Sequence, residues 1–428
     1  MTDMVPAIAL RQNAGLFLLK PFQPEIADMN TSRNSTSFAN VTREEAVKRA
    51  ADLIPLLRAH AAEAEEARQL APAVREALHA SGLFRFLQPK SRGGMELDFA
   101  AWVEIPEMLG RGDCSTAWNV ANLASHHRTL ALFSKQAQDE VWNENPDALI
   151  AAGIAYPQGR AKKVDGGLML SGTWNFCSAV NDSTWNMLAC MVIENDKPVD
   201  WVQCLLRDAE YEIIDDWQTM GMRGTGSSTC KVENLFVPDY RVQSMATGLP
   251  GHRFAGVEEN PNPMYVIPTS SVGGHALGGC VVGNAQGALD AMLDWIKSRS
   301  TVQGAKMRDF QTVQLRIGMA GAKIDAARLI LRNDCVDAER ETAAGRAVTT
   351  EHKLRHKRNA ALAVKLAMEA IDLLQDMAGA NGIYQKSPLE RIFRDARAAG
   401  AHIHFSTDMQ MTQWGLVASG GEFKSPTL

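Results

Sequence analysis

Phe310, Val313, Ile317, Ala320, Ile324, Ala327 and Leu331 follow one another at alternating intervals of three and four. That spacing places all seven on one stripe of a helix roughly six turns long. So long an apolar stripe has to be covered by other helices, which predicts a helical bundle. A second stripe, Leu362, Leu366, Ala370, Leu373 and Met377, supplies a partner helix.

Upstream the texture differs. Residues 42–149 read as helical: "TREEAVKRAADLIPLLRAHAAEAEEARQLAPAVREALHASG" opens with Thr42 and Glu45 at capping-box spacing and closes at Gly82. "EIPEMLGRG" and "SKQAQDEVW" continue in helix text. Over 150–250, "GGLMLSGTWNF", "TWNMLACMVIE", "VDWVQCLLRD" and "CKVENLFVPDYRV" are short, β-branched and aromatic, and divided by turn residues. They predict a compact β domain consistent with a small barrel. Helix returns over 265–417. Residues 1–41, with "NTSRNSTSFAN", read as a loose polar lead-in. The expected class is α+β, mainly α: an N-terminal helical domain, a central small β-barrel and a C-terminal helical bundle.

A net charge of −5 gives no reason to expect nucleic acid. Seven scattered cysteines, an odd count without a CxxC pair, argue against a disulfide framework and a zinc ribbon. Free thiols fit a reducing compartment. Residues 1–40 lack an apolar run with a cleavage site. "HALGGCVVGNAQGALDAML" is interrupted by Asn284, Gln286 and Asp290 and is too polar to span a bilayer. The expectation is a cytoplasmic protein away from membranes.

Several motifs invite chemistry. His402 and His404 in "RDARAAGAHIHFSTDMQM" share a face on a strand but diverge on a helix. Only Asp395 and Asp408 are nearby acids, too few for the three or four ligands a metal needs, so no metal is expected. His352 and His356 have helical zinc spacing but sit in basic "EHKLRHKRN", which reads as a solvated face. "GMRGTGSS", 221–228, resembles a phosphate loop, yet strand text follows where a helix N-terminus is required. A turn between strands is the better reading. No GxGxxG follows a strand, and no GxSxG is present. "WNFCSAVNDSTW", 174–185, gathers large aromatics, a thiol and hydroxyls. It is either ordinary β core or the wall of a flat cofactor with a hydroxyl at its ring nitrogen.

Taken in order, these pieces resemble the acyl-CoA dehydrogenase superfamily over residues 45–415. "SGTWNFCSAVNDSTWNMLA" resembles the strand that holds the flavin ring there. The resemblance implies Phe176 in place of the ring-flanking tryptophan and Ser178 as the hydroxyl beside flavin N5. "DWQTMGMRGTGSSTCKVENLFVP" is similar to a second β-domain signature, which implies Arg223 as a cofactor contact. "RIFRDARAAG" resembles the late helical motif. A dehydrogenase usually has its catalytic glutamate shortly after that motif. The matching place here is Ile403, and no glutamate occurs from 391 to 421. Gln303-Gly304 stands where a Phe-Gly pair would contact adenine.

"LFRFLQPKSRGG", "CSTAWNVANLASHH", "FSKQAQDEVW" and "RDARAAGAHIHF" resemble the flavin-dependent monooxygenases built on the same fold. These include the oxygenase component of p-hydroxyphenylacetate hydroxylase and relatives acting on steroid phenols, indoles and thiophenes. The resemblance implies a two-component system and a homotetramer. A separate NAD(P)H-flavin reductase supplies FMNH2 or FADH2, and the oxygenase holds it while O2 forms a C4a-hydroperoxide. It further implies that Ser178 holds the N5 proton and that His402 is the base for the substrate. His126 binds the substrate hydroxyl, Trp118 is a pocket wall beside the cofactor, and His404 lines the same pocket. Ala152 stands where the hydroxyphenylacetate enzyme has a serine touching flavin and substrate. "MYVIPTSSVGG", 264–274, lacks a basic residue. Both differences point to an uncharged aromatic or heteroaromatic substrate. Two other readings stay open: an acyl-CoA dehydrogenase, in which a thioester would reduce bound FAD, and a catalytically inactive member. Retention of Ser178, His126 and His402 argues against the latter.

Overall fold

The computed structural model describes residues 36–154, 158–245, 254–267, 269–300, 303–346 and 348–424. The lead-in expected over 1–41 lies outside them up to residue 35.

Among the described residues the helical text upstream forms five α-helices. α1 (Arg43–Ala67) starts at Thr42, whose Oγ1 accepts from the Glu45 amide at 3.2 Å. The capping box is half made, because the Glu45 carboxylate takes Arg49 Nε instead, at 3.1 Å. The run expected to continue to Gly82 breaks at Arg68, which sits at φ 53. Pro72 then begins α2 (Pro72–Ser81) at a position where proline loses no hydrogen bond, and Gly82 ends it at φ 75. α3 (Ala101–Gly110), α4 (Cys114–Leu130) and α5 (Lys135–Trp142) follow, α4 and α5 capped by Asp113 and Ser134.

Among the described residues eight strands come next: β1 (Ile150–Gly153), β2 (Gly159–Val164), β3 (Gly167–Trp174), β4 (Trp185–Glu194), β5 (Lys197–Arg207), β6 (Glu212–Ile214), β7 (Thr229–Pro238) and β8 (Val242–Ser244). They make one sheet in the order β6-β7-β3-β2-β4-β5-β8, with β1 parallel to β4. Inward residues of β2, β3, β4, β5 and β7 share one core that includes Leu170, Trp174, Cys190, Cys204 and Val232, so the sheet curls around itself. Its terminal strands β6 and β8 are not paired with each other among the described residues. The small barrel is therefore open along one seam.

The bundle consists of α6 (Thr269–Ser298), α7 (Gln311–Ala343), α8 (Thr350–Ala378), α9 (Pro388–Gly400) and α10 (Thr407–Ala418). The apolar text of α6 is explained by packing against α3. A Cβ on Gly283 would lie 2.0 Å from Glu107 O, and one on Gly110 would lie 2.5 Å from Cys280 O. Val313, Ala320, Ile324, Ala327 and Leu331 are buried along α7. Phe310 departs from the expected stripe: it precedes the helix in extended conformation and is 40% exposed. The α8 stripe is also shifted. Ala360, Ala363, Val364, Ala367, Ala370, Ile371 and Leu374 are buried, while Leu362, Leu366, Leu373 and Met377 are half-buried. The buried face is rotated by about one residue and mixes Ala360, Ala363, Ala367 and Ala370 with Val364, Ile371 and Leu374.

His356 is a second correction. It is 1% exposed rather than solvated, with Nδ1 2.7 Å from Ser271 Oγ. Among the described residues no helix is long and apolar enough to cross a membrane, and all seven cysteines are free and buried.

Candidate active site

The Asp113 carboxylate accepts the Thr116 amide at 2.8 Å and starts α4. The helix then carries two side chains of interest, Trp118 and His126, both buried. His126 Nδ1 lies 2.6 Å from Ile150 O on β1. A carbonyl only accepts, so Nδ1 bears the hydrogen and Nε2 keeps its lone pair. Burial lowers the His126 pKa to about 4, so the ring is neutral at physiological pH. Ala152 lies two residues along β1 from this anchor, 9% exposed.

Trp118 Nε1 donates to Ser178 Oγ at 3.2 Å. Ser178 lies in the loop after β3, and that loop is stitched to residues 222–228. The Ala179 amide donates to Thr225 O at 2.8 Å and the Cys177 amide to Ser228 O at 3.3 Å. Phe176, Ala179 and Met222 have φ of 64, 62 and 55. Left-handed conformations in side-chain-bearing residues cost about 1 kcal/mol each and gather at functional sites. The "GMRGTGSS" segment is thus a turn between β6 and β7, as read from sequence, and it also backs the Ser178 loop.

α9 holds that segment in place. The Asp395 carboxylate accepts the Met222 amide at 2.7 Å. Arg394 Nη1 donates to Met220 O at 2.8 Å, and the same guanidinium pairs with Glu65 and Glu390. Burial, reinforced by Asp113, raises the Asp395 pKa to about 7. The "RDA" tripeptide therefore clamps the β-domain loop before the chain turns into the histidines.

His402 and His404 follow in a short 3-10 turn, half-buried, while Ile403 between them is 64% exposed. The His402 ring meets Trp118 edge-on at 5.5 Å between centroids and lies 4.9 Å from the His404 ring. His402 Nδ1 accepts the His404 amide at 3.3 Å, a long contact. Burial lowers the pKa of His402 to about 4. Burial, helped by His402 and Lys357, lowers that of His404 to about 3. α6 comes so close that a Cβ on Gly274 would stand 3.1 Å from His404 Cβ. Ser271, His275 and Lys357 gather around His404. Residues 264–274 lack a cation, but α8 brings Lys357 here, its ammonium pKa lowered by burial.

Trp118, Ser178, His402 and His404 are thus joined by direct contacts, and His126 stands on the same helix as Trp118. Phe176 exposes 66% of its surface and meets Trp217 edge-on at 6.0 Å. Arg223 stands apart, 3.9 Å from Glu65, with its buried Nε unpartnered. The sequence reading missed Thr225, Ser227 and Trp217. Ser227 Oγ is 3.0 Å from Ser178 Oγ, and Trp217 Nε1 donates to Met222 O at 3.0 Å. Only the loop-to-loop register reveals them. Among the described residues no three His, Cys, Asp or Glu side chains gather as a metal would need.

An exposed aromatic on a strained backbone, buried hydroxyls beside it and an unpartnered Ser228 Oγ fit a flat, hydrogen-bonding ring such as a flavin. The fold and this pocket define the class: residues 39–144 match the acyl-CoA dehydrogenase N-terminal domain and residues 275–407 its C-terminal domain. The flavin-dependent monooxygenase oxygenase subunit HsaA of Rhodococcus jostii (strain RHA1) is 34% identical over 376 residues, 87% of this chain and 97% of that protein. The FADH2-dependent resorcinol hydroxylase oxygenase component of Rhizobium sp. (strain MTP-10005) is 34% identical over 389 residues, 88% and 95% of the two chains. The crystal structure of the HsaA monooxygenase from M. tuberculosis superposes with TM-score 0.85 at 30% identity, covering 90% of this chain and all of that one. The chain belongs to the family of flavin-dependent monooxygenase oxygenase components built on the acyl-CoA dehydrogenase fold.

Proposed function

We propose that this protein hydroxylates an uncharged phenolic or heteroaromatic substrate, using reduced FMN or FAD delivered by a separate NAD(P)H-dependent reductase. Bound reduced flavin would supply two electrons, so that one atom of O2 enters the substrate and the other leaves as water. The observation that carries the reading is the grouping of Trp118, Ser178 and His402, with imidazoles in place of a carboxylate base.

Phe176 and Trp118 would flank the ring, and Ser178 would hold the proton at its N5. Arg223, with a free Nε–H, serves a polar edge of the cofactor. Ala152 and His404 shape the substrate space. His126 accepts a hydrogen bond from the substrate hydroxyl through Nε2, the nitrogen left with a lone pair by the Ile150 contact. His402 acts as the base by exchanging its long contact with the His404 amide for the substrate proton. Removing that proton makes the ring electron-rich enough to attack oxygen. Burial leaves both imidazoles unprotonated at neutral pH, each with an acceptor lone pair, and makes His402 a weaker base than the near-neutral imidazole such a role favours. The buried walls limit water, which would otherwise release peroxide.

Copies of the chain associate into a homotetramer through the bundle. Leu315, Leu329 and Val336 on α7 are 63%, 67% and 50% exposed, an apolar surface suited to a partner helix. The test is a panel of uncharged phenols, indoles and thiophenes given with reduced flavin and O2. Product with at least one ring, and none with an acyl thioester, is the expected outcome. Thioester oxidation without oxygen insertion would overturn the reading.

A further inference from the structure

Two hydroxyls, Ser227 and Thr225, form a chain behind Ser178. Ser227 Oγ lies 3.0 Å from Ser178 Oγ and 2.7 Å from Thr225 Oγ1, and Thr225 Oγ1 donates to Met222 O at 2.7 Å. At the other end Trp118 Nε1 donates to Ser178. Ser227 and Thr225 are 3% and 1% exposed, so water does not replace these partners.

A hydroxyl has one proton and two lone pairs. The indole N–H can only donate and the Met222 carbonyl can only accept. The Trp118 end is therefore fixed, whereas Met222 O also holds the Trp217 N–H at 3.0 Å and can release the Thr225 proton, so the chain has two arrangements. In the first, Thr225 donates to Ser227 and Ser227 to Ser178, both Ser178 lone pairs are filled, and the Ser178 proton points out of the chain. In the second, Ser227 donates to Thr225 and Ser178 donates to Ser227. One Ser178 lone pair then points outward. Exchange between the two requires hydroxyl rotation and no backbone movement.

We propose that Ser227, backed by Thr225, is a positioning residue that lets Ser178 hydrogen-bond the flavin ring nitrogen in both oxidation states. This rests on the reading that Ser178 faces N5. Oxidised N5 is an acceptor and matches the first arrangement. Reduced N5 carries hydrogen, is a donor, and matches the second. Without Ser227, oxidised flavin still receives the Ser178 proton. Reduced flavin would instead leave that proton buried without an acceptor, a cost specific to one oxidation state.

The test is the Kd of the full-length protein for oxidised and for anaerobically reduced FMN and FAD. Ser227→Ala raises the Kd for reduced flavin about tenfold more than that for oxidised flavin, the effect of one buried unmatched donor. Ser227→Thr keeps a hydroxyl and restores the wild-type ratio of the two constants. Thr225→Val, which removes the acceptor for Ser227, shifts the ratio in the same direction and serves if Ser227→Ala fails to fold. Ser178→Ala weakens both states and makes Ser227→Ala silent in the double variant. An unchanged ratio in Ser227→Ala or Thr225→Val, with Ser178→Ala weakened, overturns the hydroxyl chain and leaves Ser178 at N5. Unchanged binding in Ser178→Ala overturns that placement, and the chain with it.

Discussion

The indole N–H of Trp118 donates to Ser178 Oγ at 3.2 Å, while the edge contact between the indole and His402 spans 5.5 Å. One side chain of α4 therefore touches both the hydroxyl assigned to the cofactor and the imidazole assigned to the substrate. Trp118→Phe keeps an aromatic wall and deletes the donor. Flavin affinity should fall roughly fivefold, the worth of one ordinary hydrogen bond. Fluorescence titration checks this, and unchanged affinity would detach Trp118 from the cofactor side.

His402→Asn separates binding from chemistry. Reduced flavin should bind and react with O2 as before, while product per flavin consumed drops at least tenfold and hydrogen peroxide rises to match. His126→Asn should raise KM for phenolic substrates more strongly than His402→Asn does, because it removes the acceptor set by Ile150. If His126→Asn abolishes product and His402→Asn leaves the yield unchanged, His126 is the base.

The acid limb of the reaction follows from burial. His402 is pushed down to about 4, so it is protonated only below that pH, whereas a free imidazole loses its acceptor below ~6.5. Product per flavin should stay level from pH 8 to about 5 and fall with a midpoint near 4. A midpoint near 6.5 would contradict the depressed value.

Asp395 has the opposite sign. Its pKa is raised to about 7, so the folded state keeps a proton that the unfolded chain releases near 3.8. That contribution to stability is full below the unfolded pKa and is lost as pH rises through about 7. Asp395→Asn removes the titration while an amide oxygen can still accept the Met222 N–H. The wild type should gain about 3 kcal/mol from this group at pH 5 relative to pH 8. The difference in Tm between the two pH values should shift accordingly in the variant. An identical pH dependence would show that Asp395 does not titrate in this range.

The legibility of the sequence follows how local each signal is. The α7 stripe from Val313 to Leu331 was readable because period alone defines it. Phe310 was not, since nothing in a period marks where a helix begins. On α8 the large residues looked like the seam, yet the buried face is rotated from them and takes in Ala360, Ala363, Ala367 and Ala370. His356 looked solvated because Ser271, its partner at 2.7 Å, comes from a helix 85 residues away. At the site, Trp118, Ser178, His126, His402 and His404 were reachable because they sit inside recognisable motifs. Thr225 and Ser227 were hidden in an apparent turn. Their role depends on the contact between Ala179 and Thr225, which no local pattern encodes.

The most direct test of the account supplies the protein with reduced FMN or FAD and an aromatic substrate that it turns over, under isotope-labelled O2. Mass spectrometry then follows the product oxygen. One labelled atom per product molecule is expected, with none from solvent water and no product when reduced flavin is omitted. Product oxygen derived from water, or oxidation of the substrate without any oxygen gained, would contradict it.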